Sequence, residues 1–281
     1  MVNDDPEWSP GKGDSHVQAY QVLALATAAV TLALPAGLAA TAASAATGPA
    51  TPTKEEAGYQ FTGAQFRYAQ ATVYLRNASQ YSASIGGLGQ SVQFWGGGNV
   101  YVLGVSDTTT TSPYSPAVAV FNNSTHALVC ATAGTNTCAG TPTSWTSGSV
   151  SYPTGHSVQE TIFYNQGNGD LTFAVNDLTA HTSSGFTLNI GTGVSFKEVR
   201  IGTEFGNDPW SPPATFTAPA AQTKLAAFSG GQLTNYKGTK FGFSGYFTTS
   251  PLIMTGPGSV TEANARALNS TANGFSTYLV P

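Results

Sequence analysis

Charge is what this chain has least of. Charged side chains make up 9% of its 281 residues, where a globular domain ordinarily carries about a quarter. No basic residue stands between Arg76 and Lys197. Without a basic stripe to track a phosphate backbone, nucleic acid is not expected as a partner. From Gly58 to the end, acids and bases are equal in number, so that stretch is close to neutral. A domain with few carboxylates to protonate and few cations to repel one another suffers less in acid, and the composition is compatible with an acidic habitat.

Other absences narrow the chemistry. There is no G-x-S-x-G and no Cys/His pair, so no familiar nucleophile motif is present. No glycine-rich loop leads into a helix, which removes a phosphate cradle. The histidines His126, His156 and His181 are scattered without ligand spacing. Two cysteines with no histidine beside them leave a tetrahedral metal set incomplete. Neither a metal nor any other cofactor is expected.

What is present begins with the uncharged run from Val22 to Ala46, which ends in Ala43-Ser44-Ala45. An apolar stretch closed by small residues is the pattern of a secretory leader with an A-x-A-like cleavage site. Residues 1–46 are read as that leader, and the remainder as secreted. The run is long enough to span a bilayer, so an uncleaved anchor is the alternative and the one route to a membrane. Residues 47–57 read as a Pro/Thr linker with little capacity to fold. In an exported chain, Cys130 and Cys138, which bracket a short polar loop, read as one local disulfide worth roughly 2–3 kcal/mol.

Strand signals fill residues 58–281. Ser91–Trp95 and Val100–Val105 flank the turn Gly96-Gly97-Gly98-Asn99. Ile162 and Tyr164 alternate on one strand, and Leu171, Phe173 and Val175 on its return. Phe186, Leu188 and Ile190 repeat the period, Phe196–Phe205 follows, and Tyr236–Phe247 alternates aromatics with small residues. Thr261–Asn269 is the one stretch read as a helical turn. The fold class is all-β: a two-sheet antiparallel β-sandwich, in one domain expected to be monomeric.

In so uncharged a domain the few carboxylates stand out. Glu204 ends a strand before Asn207-Asp208-Pro209-Trp210; it either caps a turn or pairs with Arg200, or it works on substrate in a cleft. Arg200, Gly202 and Glu204 share strand parity and one face, with Arg200 and Glu204 roughly 13 Å apart at the backbone. Glu198 shares that face but lies roughly 20 Å from Glu204, too far to share a proton with it. Trp95 and Asp107 are candidates for the same cleft, with core packing and a turn as their ordinary alternatives.

Three stretches resemble the eqolisin family of glutamic peptidases: Gly58-Tyr59-Gln60-Phe61-Thr62-Gly63 with Phe66; Val194–Phe205 followed by Lys224-Leu225-Ala226-Ala227-Phe228; and Ile253-Met254-Thr255 through to Phe275-Ser276-Thr277-Tyr278. The resemblance implies a secreted concanavalin-like sandwich in which a glutamate activates water and a glutamine amide stabilises the oxyanion. It implies Glu204 as the acid/base residue and Gln90 (with a two-residue gap; Gln93 is its neighbour) as the amide; the residues themselves make Arg200, Trp95 (as a ring that could stack on a sugar) and Asp107 the candidates for binding substrate. With the family's A-E-W-I-x-E motif set so that Glu204 is the second glutamate, Arg200 takes the place of the catalytic one; with Glu198 as the first, Gly202 takes the place of the second. The implied activity is acid hydrolysis of polypeptides. The alternative is a non-catalytic sandwich of the same fold that binds an extracellular glycan or protein.

Overall fold

The computed structural model describes residues 48–77, 88–97, 100–108, 114–125, 127–132, 136–137, 151–205, 221–245, 247–256 and 260–281. The leader, Trp210 and Cys138 fall outside them, and so does the expected disulfide, since Cys130 is described only as strand backbone.

The described residues are strands and turns without a helix. In chain order the strands are β1 (Thr51–Thr53), β2 (Glu56–Tyr74), β3 (Leu88–Gly97), β4 (Val100–Thr108), β5 (Ser115–Asn122), β6 (Leu128–Thr132), β7 (Asn136–Thr137) and β8 (Ser157–Asn165). They continue with β9 (Asp170–Asp177), β10 (Thr182–Asn189), β11 (Phe196–Phe205), β12 (Thr223–Asn235), β13 (Lys240–Phe241), β14 (Thr248–Thr255), β15 (Thr261–Ala265) and β16 (Phe275–Leu279).

The organising element is β2, 19 residues long. Its first half pairs with β11 on one side and β14 on the other; its second half pairs with β8 and β12. Gly63, at φ 94°, stands where the strand passes from the first set of neighbours to the second. A side chain there would be strained, and glycine is the residue that turns this corner at little cost. The first half continues through β11, β3, β4 and β5, and the second through β8, β9 and β10. These are the two layers of an antiparallel sandwich, hydrogen-bonded into one sheet because β2 belongs to both.

Alternation fixes which side chains lie between the layers. β8 and β9 show the period of two read from the sequence, with Val158, Ile162, Tyr164, Leu171, Phe173 and Val175 inward. They meet Tyr59, Phe61, Val92, Phe94, Val199 and Ile201 from the other layer. Aromatic rings run through this core: Phe61 stacks on Phe243 at 5.0 Å, and Phe275 stacks on Phe228 at 4.8 Å. Each such buried ring contributes roughly 1.5–3 kcal/mol through area removed from water.

Three expectations need correction. Residues 48–57, the described part of the expected linker, are ordered into the sandwich. β1 lies parallel to β14, the Gly48 N–H donates to the Thr249 carbonyl at 2.7 Å, and Glu55 and Glu56 are buried. Thr261–Asn269 begins as β15 rather than a helical turn. Pairing with β14 and β16 satisfies its backbone and buries Ala263, and this tertiary gain overrides local helix propensity. The strand expected over Tyr236–Phe247 lies earlier, at β12; a turn at Gly238 (φ 85°) breaks the ladder, and only β13 resumes it.

Candidate active site

The outward face of the first layer is built row by row from three strands. Across β2 and β11, Glu56 stands opposite Glu204, Gly58 opposite Gly202, Gln60 opposite Arg200, and Thr62 opposite Glu198. Across β11 and β3, Gly202 stands opposite Ser91, Arg200 opposite Gln93, and Glu198 opposite Trp95. Residues paired in register point to the same side of the sheet, so Glu198, Arg200 and Glu204 of β11 share this face with Glu56, Gln93 and Trp95.

The row of glycines makes the site possible. With no side chain at Gly58 or Gly202, the Gln93 amide reaches across the gap to both carboxyl groups. Its Nε2 donates to Glu56 Oε1 at 3.1 Å, to Ser91 Oγ at 3.0 Å, and to Glu204 Oε1. The Trp95 indole N–H donates to Gln93 Oε1 at 2.7 Å, which turns the amide nitrogen toward the carboxyl groups. A Cβ on Gly202 would sit 2.5 Å from the Ala57 carbonyl, and one on Gly58 2.2 Å from that of Ile201. Any other residue would push the two strands apart.

Arg200 occupies the next row. Its Nε donates to Glu198 at 2.5 Å, its Nη1 reaches Glu56 Oε2 at 3.4 Å, and its guanidinium lies 3.9 Å over the Trp95 ring. Trp95 in turn packs on Tyr101, with ring centres 3.9 Å apart. These groups border a cleft of about 380 Å³ whose other wall is the segment Thr51–Glu56, within the size range of small-ligand sites.

Electrostatics follow from burial. Burial pushes the Glu56 carboxyl up to about 7, against the opposing pull of the Arg200 charge. Burial also raises Glu204 well above the usual carboxylate range; the neighbouring Glu56 and Glu55 add to the rise, and Arg200 and the Gln93 hydrogen bond oppose it. Arg200 pulls Glu204 down, but desolvation exceeds the attraction of a cation whose direct ion pairs go to Glu198 and Glu56, and the net shift is upward. Tyr101, buried beside them, is held protonated by the same desolvation and by the nearby carboxylates.

The structure brings Glu204, Arg200 and Trp95 together at the cleft and leaves Gln90 out. Gln90 faces the interior between the layers, where its Oε1 accepts from the Thr203 hydroxyl at 3.0 Å and Thr203 meets Thr277 at 2.7 Å. The reason is parity: Gln90 alternates with the inward Val92 and Phe94, whereas Gln93 alternates with Ser91 and Trp95. The backbone of Asp107 pairs with Gly89, itself opposite Glu204; its side chain lies outside the description. Glu56 had no sequence signal beyond being an acid in a Pro/Thr-rich stretch.

No protein-family model matches the chain, and no curated protein matches it. Solved structures do. A scytalido-glutamic peptidase bound to a transition-state analogue inhibitor superposes with a TM-score of 0.56 at 11% identity, over 81% of this chain and 98% of that one. SCP-B, a member of the eqolisin family of peptidases in a complex with the tripeptide Ala-Ile-His, gives 0.53 at 11% identity over the same shares. Aspergilloglutamic peptidase from Aspergillus niger gives 0.42 at 11% identity, over 69% of this chain and 99% of that one. At these identities the likeness is one of fold: the chain is a β-sandwich of the glutamic-peptidase type.

Proposed function

We propose that this chain is an exported hydrolase of polypeptides that activates water through a carboxyl group on the cleft floor. The observation that carries the reading is the Gln93 amide bound to Glu204 in a cleft lined by Trp95, Tyr101 and Arg200. A glutamate and a glutamine amide are the two groups the family resemblance implies, and a carboxyl with a displaced pKa beside a fixed amide suits general acid–base work. The solved eqolisin-type neighbours, held with a transition-state analogue or a tripeptide, have the same fold.

One observation favours a second reading. In the register that makes Glu204 the family's second glutamate, Arg200 takes the place of the catalytic one, and its guanidinium is stacked and ion-paired. A cleft that had exchanged its base for a cation would bind a polypeptide or glycan without cleaving it. Incubating the full chain with denatured casein from pH 3 to 9 separates the two. Release of acid-soluble peptide, lost in Glu204→Gln, is the expected result. A folded protein that releases none at any pH, yet retains labelled peptide or oligosaccharide on a column, establishes the binding reading instead.

A further inference from the structure

The cleft holds a second carboxyl group that neither the sequence motif nor the family resemblance assigns. We infer that Glu56 and Glu204 work as one unit holding a single proton, with the charge on Glu56 and the proton on Glu204, so that Glu56 is the base and Glu204 the acid. The inference rests on the hydrolytic reading for its chemistry and on geometry for the pairing.

Three features of the geometry support it. Glu56 and Glu204 are directly opposite one another across β2 and β11, on the same face. One amide nitrogen, that of Gln93, contacts an oxygen of each. An NH₂ group has two hydrogens, and here it has three acceptors, the third being Ser91 Oγ. It cannot satisfy two full carboxylates and a hydroxyl together, so a proton on one carboxyl relieves both the shortage of donors and the repulsion of like charges. The charge of one carboxyl opposes ionisation of the other, so the two protons leave in separate steps.

The neighbours decide where the charge sits. Arg200 and Glu198 face the pair from β11, Lys54 and Glu55 from the segment before β2, Tyr101 from β4, and Gln93 and Trp95 from β3. Of these, the Arg200 guanidinium makes an ion pair with Glu56. That contact localises the charge on Glu56 and leaves the proton on Glu204. Burial lifts both carboxyls in the same direction, so the singly charged form exists from about pH 7 upward, until Glu204 itself ionises.

The reaction balances without a metal or a covalent intermediate. Glu56 takes a proton from water as the water oxygen bonds to the peptide carbonyl carbon, and Glu204 gives its proton to the carbonyl oxygen, forming a gem-diol. Glu56 then passes its proton to the amide nitrogen. The C–N bond breaks with its electron pair leaving on the amine, and Glu204 recovers a hydroxyl proton as the carbonyl reforms. The products are a carboxylic acid and an amine, and the dyad returns to its starting state. Gln93, fixed by Trp95, is a positioning residue that keeps the two carboxyls together.

The test is a carboxyl titration of the full chain labelled with ¹³C-glutamate, followed by NMR, in parallel with casein hydrolysis. The wild-type protein is expected to show one glutamate step near pH 7 and another above it. Glu56→Gln should remove the first and draw the second down by about one pH unit or more, since the like charge has gone. Arg200→Met should raise the first by a similar amount. A wild-type titration in which every glutamate ionises below about pH 5.5, near its ordinary range, overturns the shared proton without recourse to any variant. On casein at pH 8, Glu56→Gln and Glu204→Gln should each lower kcat about 100-fold or more. Glu56→Gln cleaving at the wild-type rate overturns the dyad and leaves the hydrolytic reading standing. Two high glutamate steps in a wild-type protein that cleaves nothing overturn the hydrolytic reading, and Glu56's part as base with it, while the shared proton stands.

Discussion

The two halves of β2 look outward onto surfaces of opposite character. The first half presents Glu56, Gly58 and Gln60 to a cleft where four charged groups of β2 and β11 lie within hydrogen-bonding reach of one another or of Gln93. The second half presents Tyr68, Gln70 and Thr72, and its neighbours β8, β9 and β10 add Thr161, Phe163, Thr172, Asn176 and Thr187 in register. No charged side chain stands in those rows. One strand thus carries both a site of concentrated electrostatic stress and a relaxed face of hydroxyls and amides.

The largest contrast should come from filling the cleft floor. Gly202→Val places its Cβ on the Ala57 carbonyl and separates β2 from β11. It is expected to cost about 3–5 kcal/mol in urea denaturation and to abolish any activity. Thr161→Val, an exposed-side change on the other face, makes the reference.

A pH series sharpens the electrostatic side. Glu56 is raised from 4.5 to about 7 in the folded protein. Its contribution to stability is therefore complete below the unfolded value and is lost as pH rises through the folded one. Between pH 4.5 and 7.5 the unfolding free energy should fall by on the order of 3 kcal/mol, with Glu204 extending the loss to higher pH. In Glu56→Gln the slope over this window should flatten. A wild-type stability that rises across it would contradict the buried-carboxyl reading.

The opposite sign is expected at the end of the second layer. Asp177 is drawn up by burial, but hydrogen bonds from His156 at 2.6 Å and from the Ala180 and Thr179 N–H groups outweigh this and hold it below its ordinary value. Its contribution is present above the unfolded value and lost as pH falls through the folded one. Asp177→Asn should cost about 1–2 kcal/mol at pH 7 and less below pH 3. The smallest effect belongs to the uncharged face: Thr161→Val and Thr172→Val should each shift stability by no more than about 0.5 kcal/mol.

Much of this molecule is readable without coordinates, for a definite reason. Where one side of a strand is buried, alternation declares it, and β8, β9 and β11 lie where Ile162, Phe173, Val199 and Ile201 put them. The same rule, applied to Val92 and Phe94, would have chosen Gln93 over Gln90. Glu204 and Arg200 were legible because charge is rare. Glu56 was not, because its significance comes from its partner across a ladder to residues far along the chain, and nothing local in Thr51–Glu56 announces a strand. Cross-strand register is a tertiary fact, and it made Thr261–Ala265 a strand as well.

The sharing of β2 between the layers has a kinetic consequence. Its neighbours β11, β12 and β14 are all made long after it, the last near the far end of the chain. Until they arrive, a long ribbon of unpaired amides and buried-type aromatics such as Tyr59 and Phe61 has nothing to close against. Folding must then wait on distant pairings, which are slow to form because chain closure precedes any reward. A truncation within β14 would thus leave β2 without a partner along Gly58–Thr62, and such a chain should collect as aggregate rather than as a smaller folded domain.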